Sequence, residues 1–354
     1  MAYTTINKGS SYFNTVLWTG TGATLSVTGV GFQPDFVWIK NRDNGGAANR
    51  LLDAVRGATK LLYSNLTNAE DTDVDSLTSF NVDGFTVGNA AGVNQSGSGI
   101  VSWNWLGANT TVSNTSGSIT STVSANPTAG FSVVGYTGNA TAGATIGHGL
   151  GAKPAMIIFK NRIDSSAAKW AVYHQAAFVS QADPNILYLD DAAAQADDVN
   201  VLGNTTVTLN STLFSLGDYN GSNGSGDAMI AYCFAQIKGF SNFGSYTGNG
   251  STDGTFVYTG FRPEFVLTKA SSSTGQWIIH DATRDPFNQT NRLLYPSLSN
   301  AEENNISDQI DILSNGFKIR ATGSGINGSG VKYIYMAFAE NPFVTSGGIP
   351  VTAR

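Results

Sequence analysis

The sequence predicts an all-β protein built from three tandem, related β-sandwich domains. Three observations carry that expectation: a strand segment that recurs three times, a composition suited to short strands and many turns, and a turn motif repeated before the last strand of each copy. The recurring segment reads Gly31-Phe-Gln-Pro-Asp-Phe-Val-Trp-Ile-Lys-Asn-Arg42, then Gly151-Ala-Lys-Pro-Ala-Met-Ile-Ile-Phe-Lys-Asn-Arg162, then Gly260-Phe-Arg-Pro-Glu-Phe-Val-Leu-Thr-Lys269. Gly and Pro mark the entry, and the β-branched and aromatic residues that follow favour an extended strand. Recurrence at roughly 110–120 residues is too long for a solenoid repeat and suits a small β-domain.

Gly accounts for 41 of 354 residues and only 12% are charged, which suits strands joined by turns. Hydrophobic residues at 41% supply real cores, so the polar bias does not imply disorder. A net charge of −6 leaves no basic surplus for nucleic acid or for an anionic membrane surface. The single cysteine, Cys233, allows no intrachain disulfide and falls in an expected core strand. The first residues lack the basic start and apolar run of a secretory signal, and no stretch nears the roughly 18 apolar residues of a membrane helix. The expectation is a protein made in the cytoplasm, without membrane insertion.

The first repeat, residues 1–107, opens with a lead strand over Tyr12–Trp18. The Pro34 strand follows, then short strands at Leu51–Asp53 and Lys60–Tyr63 turned by Arg56-Gly57. A polar loop is expected over 64–80, a strand over Asn81–Val87, and a closing strand over Ile100–Leu106. Alternation places Val101, Trp103 and Trp105 on one face of that last strand, the core face. Residues 108–129 are almost all Thr, Ser, Asn, Gly and Ala and read as a linker with some extended character, the other reading being a lone edge strand.

The second repeat, 130–236, carries strands at Gly130–Gly138, after Pro154, and at Trp170–His174, Asn185–Leu189, Thr212–Leu216 and Met229–Phe234. The third, 237–343, has a lead segment at Gly244–Gly250, the Pro263 strand, then Trp277–His280, Arg292–Tyr295, Asn315–Ile319 and Tyr333–Phe338. Residues 344–354 form a tail. Repeats one and three are the closer pair, since Ala69–Phe85 aligns with Ala301–Phe317 without a gap. An Asn-x-Ser-Gly motif precedes the last strand in every copy, at Asn94, Asn223 and Asn327. Asn and Gly tolerate left-handed backbone angles, so the motif reads as hairpin chemistry.

Tyr3-Thr-Thr-Ile-Asn-Lys-Gly9 with Tyr12-Phe-Asn-Thr15, Gln33–Arg42, Asp53-Ala-Val-Arg-Gly57, Gly244–Gly250 and Ala337-Phe-Ala-Glu-Asn-Pro-Phe343 resemble a family of tailed-phage virion proteins of the marine and cyanophage type. The resemblance spans nearly the whole chain. It implies concanavalin A-like, jelly-roll or lectin-like sandwiches and a structural role on a virion, in the tail or its fibres or as capsid decoration. It carries over no ligand site.

The residues offer little chemistry beyond that. Asp71-Thr-Asp-Val-Asp75 begins like a calcium loop, but Ser76 replaces the needed glycine and Val82 the bidentate glutamate. A solvated acidic loop is therefore expected there, and at Asp190-Asp191 and Asp197-Asp198. Three histidines and one cysteine offer no zinc spacing. No carboxylate pair is marked for hydrolysis, no nucleophile elbow occurs, and Cys233 has no nearby His in sequence. The expectation is no catalytic residue, no metal and no cofactor. Glycan binding would use an exposed aromatic beside polar loop groups. Trp277, Asp281 and Arg284 fit that description, with Asp53 and Arg56 as repeat-one counterparts. The competing reading is an Asp–Arg pair that orders a turn. Lys40, Lys160 and Lys269, at the end of each recurring strand, are expected to snorkel or pair.

These readings combine in a non-enzymatic virion surface protein that associates with itself and other virion proteins. Host glycan contact through a tail position is the leading reading, and capsid decoration at a threefold or quasi-threefold position is the alternative. A polysaccharide-degrading enzyme is the least favoured.

Overall fold

The computed structural model describes residues 4–341, apart from 165–167, 179, 181–183 and 204–206. The expected tail, 344–354, lies outside the described residues. The described residues are all-β, with antiparallel pairing throughout the named strands and only short helical turns among them.

One strand plan occurs three times. A lead strand (Phe13–Thr19, Phe131–Thr137, Ser241–Thr247) pairs with the closing strand of its repeat (Gly99–Trp105, Ala228–Ala235, Lys332–Asn341). The closing strand pairs on its other side with the recurring proline strand (Phe36–Asn41, Pro154–Asn161, Arg262–Ala270). A fourth strand then joins at Arg50–Asp53, Ala171–His174 and Trp277–Asp281. In each repeat a smaller sheet contains a short strand drawn from the lead loop: Leu25–Val27, Thr145–Gly147 or Phe256–Tyr258. The order of these four strands is thus the same in all three large sheets.

Each large sheet is buried on both faces. In repeat one, Val37, Ile39, Leu52 and Ile100 face Val27, Phe85 and Val87 of the small sheet, closing a sandwich. The alternate residues Phe36, Trp38, Trp103 and Trp105 face the opposite way, into a core shared with the other repeats. Alternation along the closing strand therefore holds for Val101, Trp103 and Trp105, and their face is the shared one. Double burial also explains the unbroken apolar runs Phe36–Ile39, Ala155–Phe159 and Phe265–Leu267 in the proline strands. At the centre, aromatic rings from different repeats stack or meet edge to face: Phe36 and Tyr232 at 4.3 Å, Phe13 and Phe338 at 4.9 Å, Phe234 and Phe338 at 6.2 Å. Each such pair adds about 0.5–1.5 kcal/mol beyond its buried area.

Three expectations need correction. Residues 108–129 are not a plain linker. Val112–Asn114 and Ser121–Asn126 extend the large sheet of repeat two beyond its lead strand, with Val123 buried against it. Ser and Thr residues disguise a strand that has only one apolar face to cover. The loop expected over 64–80 and the single strand expected over Asn81–Val87 give way to a hairpin, in which Leu77–Asn81 and Gly84–Val87 turn at Val82-Asp83. Gly84 has φ +124°, and a Cβ there would lie 2.1 Å from the Val27 carbonyl oxygen, so the close approach of two strands requires glycine. The lead strand of repeat three begins at Ser241, three residues before the Gly-rich segment that marks it in sequence.

The Asn-x-Ser-Gly motif works differently from a hairpin. Gly97, Gly226 and Gly330 take the left-handed conformation, with φ between 75° and 78°. The asparagines are fully buried clamps instead. Asn94, Asn223 and Asn327 accept from the backbone N–H groups of Thr21, Asn139 and Asn249 at 2.8–2.9 Å. Each donates its amide to carbonyls on two separate segments, including Gly88, Gly217 and Ala321 at 2.6–2.7 Å.

Candidate functional site

The five residues selected for ligand binding are buried. Asp53, Asp281 and the side chains of Arg56 and Arg284 have no exposure, and Trp277 is 1% exposed. They cannot present an aromatic and polar groups to a surface glycan. The turn-ordering reading describes their geometry. The Asp53 carboxylate accepts the Arg56 backbone N–H at 2.8 Å and its guanidinium Nε, while Arg56 Nη2 donates to the Leu51 carbonyl at 2.8 Å. Asp281 and Arg284 repeat this, with Arg284 Nη2 donating to the Ile279 carbonyl at 3.0 Å.

These pairs also reach into the next repeat. Tyr232 of repeat two donates its hydroxyl to Asp53 of repeat one at 2.8 Å. Trp103 of repeat one donates its indole N–H to Asp281 of repeat three at 3.0 Å. His174 takes the aspartate's place in repeat two, and its Nε2 bonds the Tyr335 carbonyl of repeat three at 3.1 Å. Burial holds the His174 imidazole down at about 4, so it is neutral at neutral pH.

The same cyclic order governs the joints. Arg42 of repeat one grips Glu302 of repeat three in a two-pronged bond of 2.9 and 2.7 Å. Arg162 of repeat two grips Glu70 of repeat one at 2.7 and 2.8 Å. At the third joint Ser271 and Gln195 occupy these places and retain only the backbone bond from Gln195 N–H to the Ser271 carbonyl, 2.8 Å. Equivalent backbone bonds run from Glu70 to Arg162 and from Glu302 to Arg42. Burial raises the pKa of Glu70, but hydrogen bonds from Arg162 and the charges of Arg56 and Arg162 outweigh it and leave the carboxyl below its usual range.

Lys40, Lys160 and Lys269 do not snorkel. They are fully buried and cross the joints, where their ammonium groups donate to carbonyls of the neighbouring repeat: Ser299, Thr67 and Ala193 at 2.7–2.9 Å. Burial lowers each pKa to about 8. Trp170 and Trp277 cross likewise, donating to the carbonyls of Tyr63 and Tyr188 at 2.9 and 2.8 Å, with Asn49 in the third position donating to Tyr295.

Two open clefts lie beside these joints, at equivalent places in repeats one and three. The first, about 820 Å³, is lined by Arg50, Tyr63, Leu66, Asn68, Asp71 and Gly92 among others. The second, about 340 Å³, is lined by Ile278, Tyr295, Leu298, Asn300, Glu303 and Gly325 in the corresponding order. Tyr63 donates its hydroxyl to Asp71 at 3.3 Å, and Tyr295 to Glu303 at 3.0 Å. Asn300 also donates to Glu303, at 2.9 Å. These residues were missed as a site, although Leu62–Glu70 and Leu294–Glu302 visibly share their Tyr, Leu and Asn. The acidic segment has local partners: Asp73 pairs with Arg50 at 3.0 Å, and Asp191 with Lys169. Among the described residues no group of three or more His, Cys, Asp and Glu is placed to hold a metal ion.

Residues 8–342 match the model of a family described as a domain of unknown function, DUF7483. The chain belongs to the DUF7483 family. One family match thus spans all three repeats, in keeping with the continuous core that joins them. No curated protein and no solved structure matches the chain.

Proposed function

We propose that this DUF7483 chain is a non-enzymatic structural component of a tailed-phage particle, carried on the tail or its fibres. The observation that carries the structural part is the cyclic joint: Asp53, Asp281 and Trp277, selected for chemistry by sequence, are consumed in holding three repeats together beside the Arg42–Glu302 and Arg162–Glu70 pairs. A charged group buried in a bidentate pair is unavailable as a general acid or base, and Cys233 is fully buried with its thiol pushed up by burial. The phage setting rests on the sequence resemblance. The threefold plan of the repeats favours a second reading, capsid decoration, because such a body matches a local threefold position on a shell.

Immunogold labelling of intact particles tests both. Label on the tail supports the first reading, and label over the head replaces it with the second. Particles that carry no label would remove the virion role.

A further inference from the structure

We propose that the two clefts of repeats one and three are binding sites for neutral saccharide units, and that repeat two has lost the corresponding site by filling it. The proposal deepens the host-contact part of the tail reading and rests on it only for the source of the sugar.

The argument is internal to the chain. Both open clefts keep a tyrosine, an asparagine, a carboxylate and a leucine at matching positions: Tyr63, Asn68, Asp71 and Leu66, against Tyr295, Asn300, Glu303 and Leu298. In repeat two the tyrosine is present as Tyr188, but the asparagine and carboxylate positions are Ala193 and Ala196. There the side chain of Tyr219, set at the position of Ala90 and Gly323, packs 6.3 Å from Tyr188 and takes the Lys169 backbone N–H at 3.1 Å. Lys169 lies over the Tyr188 ring at 5.2 Å and pairs with Asp191. A ring and a cation thus stand where the other repeats leave space. The Tyr188 hydroxyl turns instead to Asp198, at 2.7 Å, so alanines stand at the asparagine and carboxylate positions of the open clefts where Tyr219 takes up the space.

The chemistry of the retained set fits a polyol. A carboxylate held by a tyrosine hydroxyl presents fixed acceptors, asparagine adds a donor and an acceptor, and leucine with the tyrosine ring offers apolar surface to C–H groups. Both volumes fall within the roughly 300–1,000 Å³ of small-molecule sites. A floor group without its full set of bonds lies in each: Arg50 Nε in one and Asp308 Oδ1 in the other have no hydrogen-bond partner. Asp308 is 9% exposed.

The test is saturation-transfer NMR and calorimetric titration of the purified full chain with glucose, galactose, mannose and N-acetylglucosamine at millimolar concentration. Two saturable sites per chain are expected for at least one of these sugars. Asp71→Ala and Glu303→Ala copy the alanine that repeat two already carries, so folding is expected to survive. Each should remove one site, and the double variant both. Ala90→Tyr, which copies Tyr219, should close the first cleft without replacing its acid and leave the second site intact. Absence of saturable binding by any of the four sugars would overturn the proposal, as would undiminished binding in the double alanine variant or two remaining sites in Ala90→Tyr. Binding by purified protein is read independently of where antibodies label a particle, so failure of one reading is distinguishable from failure of the other.

Discussion

Burial rewrites the meaning of several residues that look like surface chemistry in sequence. Glu264, on the recurring strand of repeat three, is 8% exposed and accepts the Thr283 hydroxyl. Burial, with the Asp281 charge second, pushes its pKa up to about 7. The folded state therefore holds its proton more tightly than the unfolded chain. The resulting stability is fully present below about pH 4.5 and is lost as pH rises through 7. Glu264→Gln should raise stability by about 2 kcal/mol at pH 8.5 and leave it near wild type at pH 4. Urea titrations at the two pH values check this, and an equal effect at both would count against it. Arg284→Met removes one partner of a fully buried pair and leaves Asp281 uncompensated. A loss of about 3–5 kcal/mol is expected. A urea midpoint within error of wild type would show that Asp281 does not depend on Arg284.

At the scale of elements, the decisive features are close approaches between strands and loops. The hairpin through Val82-Asp83 brings Gly84 against the Val27 carbonyl, where no side chain fits. Gly84→Ala should cost more than about 1 kcal/mol from backbone strain alone, with the steric clash in addition. Chemical denaturation measures the difference, and an unchanged midpoint would mean that the strand can shift aside. At the joint between repeats one and two, Arg162 and Glu70 meet through two parallel bonds while both remain partly shielded. A double-mutant cycle with Arg162→Ala and Glu70→Ala should give a coupling of about 1–2 kcal/mol. Additive losses would reduce the joint to packing alone.

Across the whole molecule, the three repeats share a core built from the inner faces of their large sheets. Separating them would expose Phe36, Trp105, Phe234 and Phe338 together, and would strand Tyr232 and Trp103 from the aspartates they bond. Unfolding is therefore expected as one cooperative transition, with the calorimetric enthalpy equal to the van't Hoff enthalpy. Residues 130–236 expressed alone should lack a cooperative melt. Three resolved transitions, or a stable isolated repeat, would show that the shared core contributes little.

What the sequence determined by itself was the local and periodic part of this protein. Strand propensity, alternation and Gly-Pro punctuation made the all-β class, the threefold recurrence and the core face of Val101, Trp103 and Trp105 legible, because each depends on residues near one another in the chain. The strand Ser121–Asn126 escaped because a half-covered strand of Ser, Thr and Ala resembles a linker until its neighbour is known. Tertiary structure alone decided the roles of Asp53, Arg56, Trp277, Asp281 and Arg284, and of the three lysines. Their surroundings come from other repeats, from 76 positions away for Lys269 and Ala193 to 259 for Lys40 and Ser299, and only that packing removes water from them. The clefts were half legible. Shared Tyr, Leu and Asn residues in repeats one and three were visible, but the space they line exists only once Tyr219 is seen filling its counterpart in repeat two.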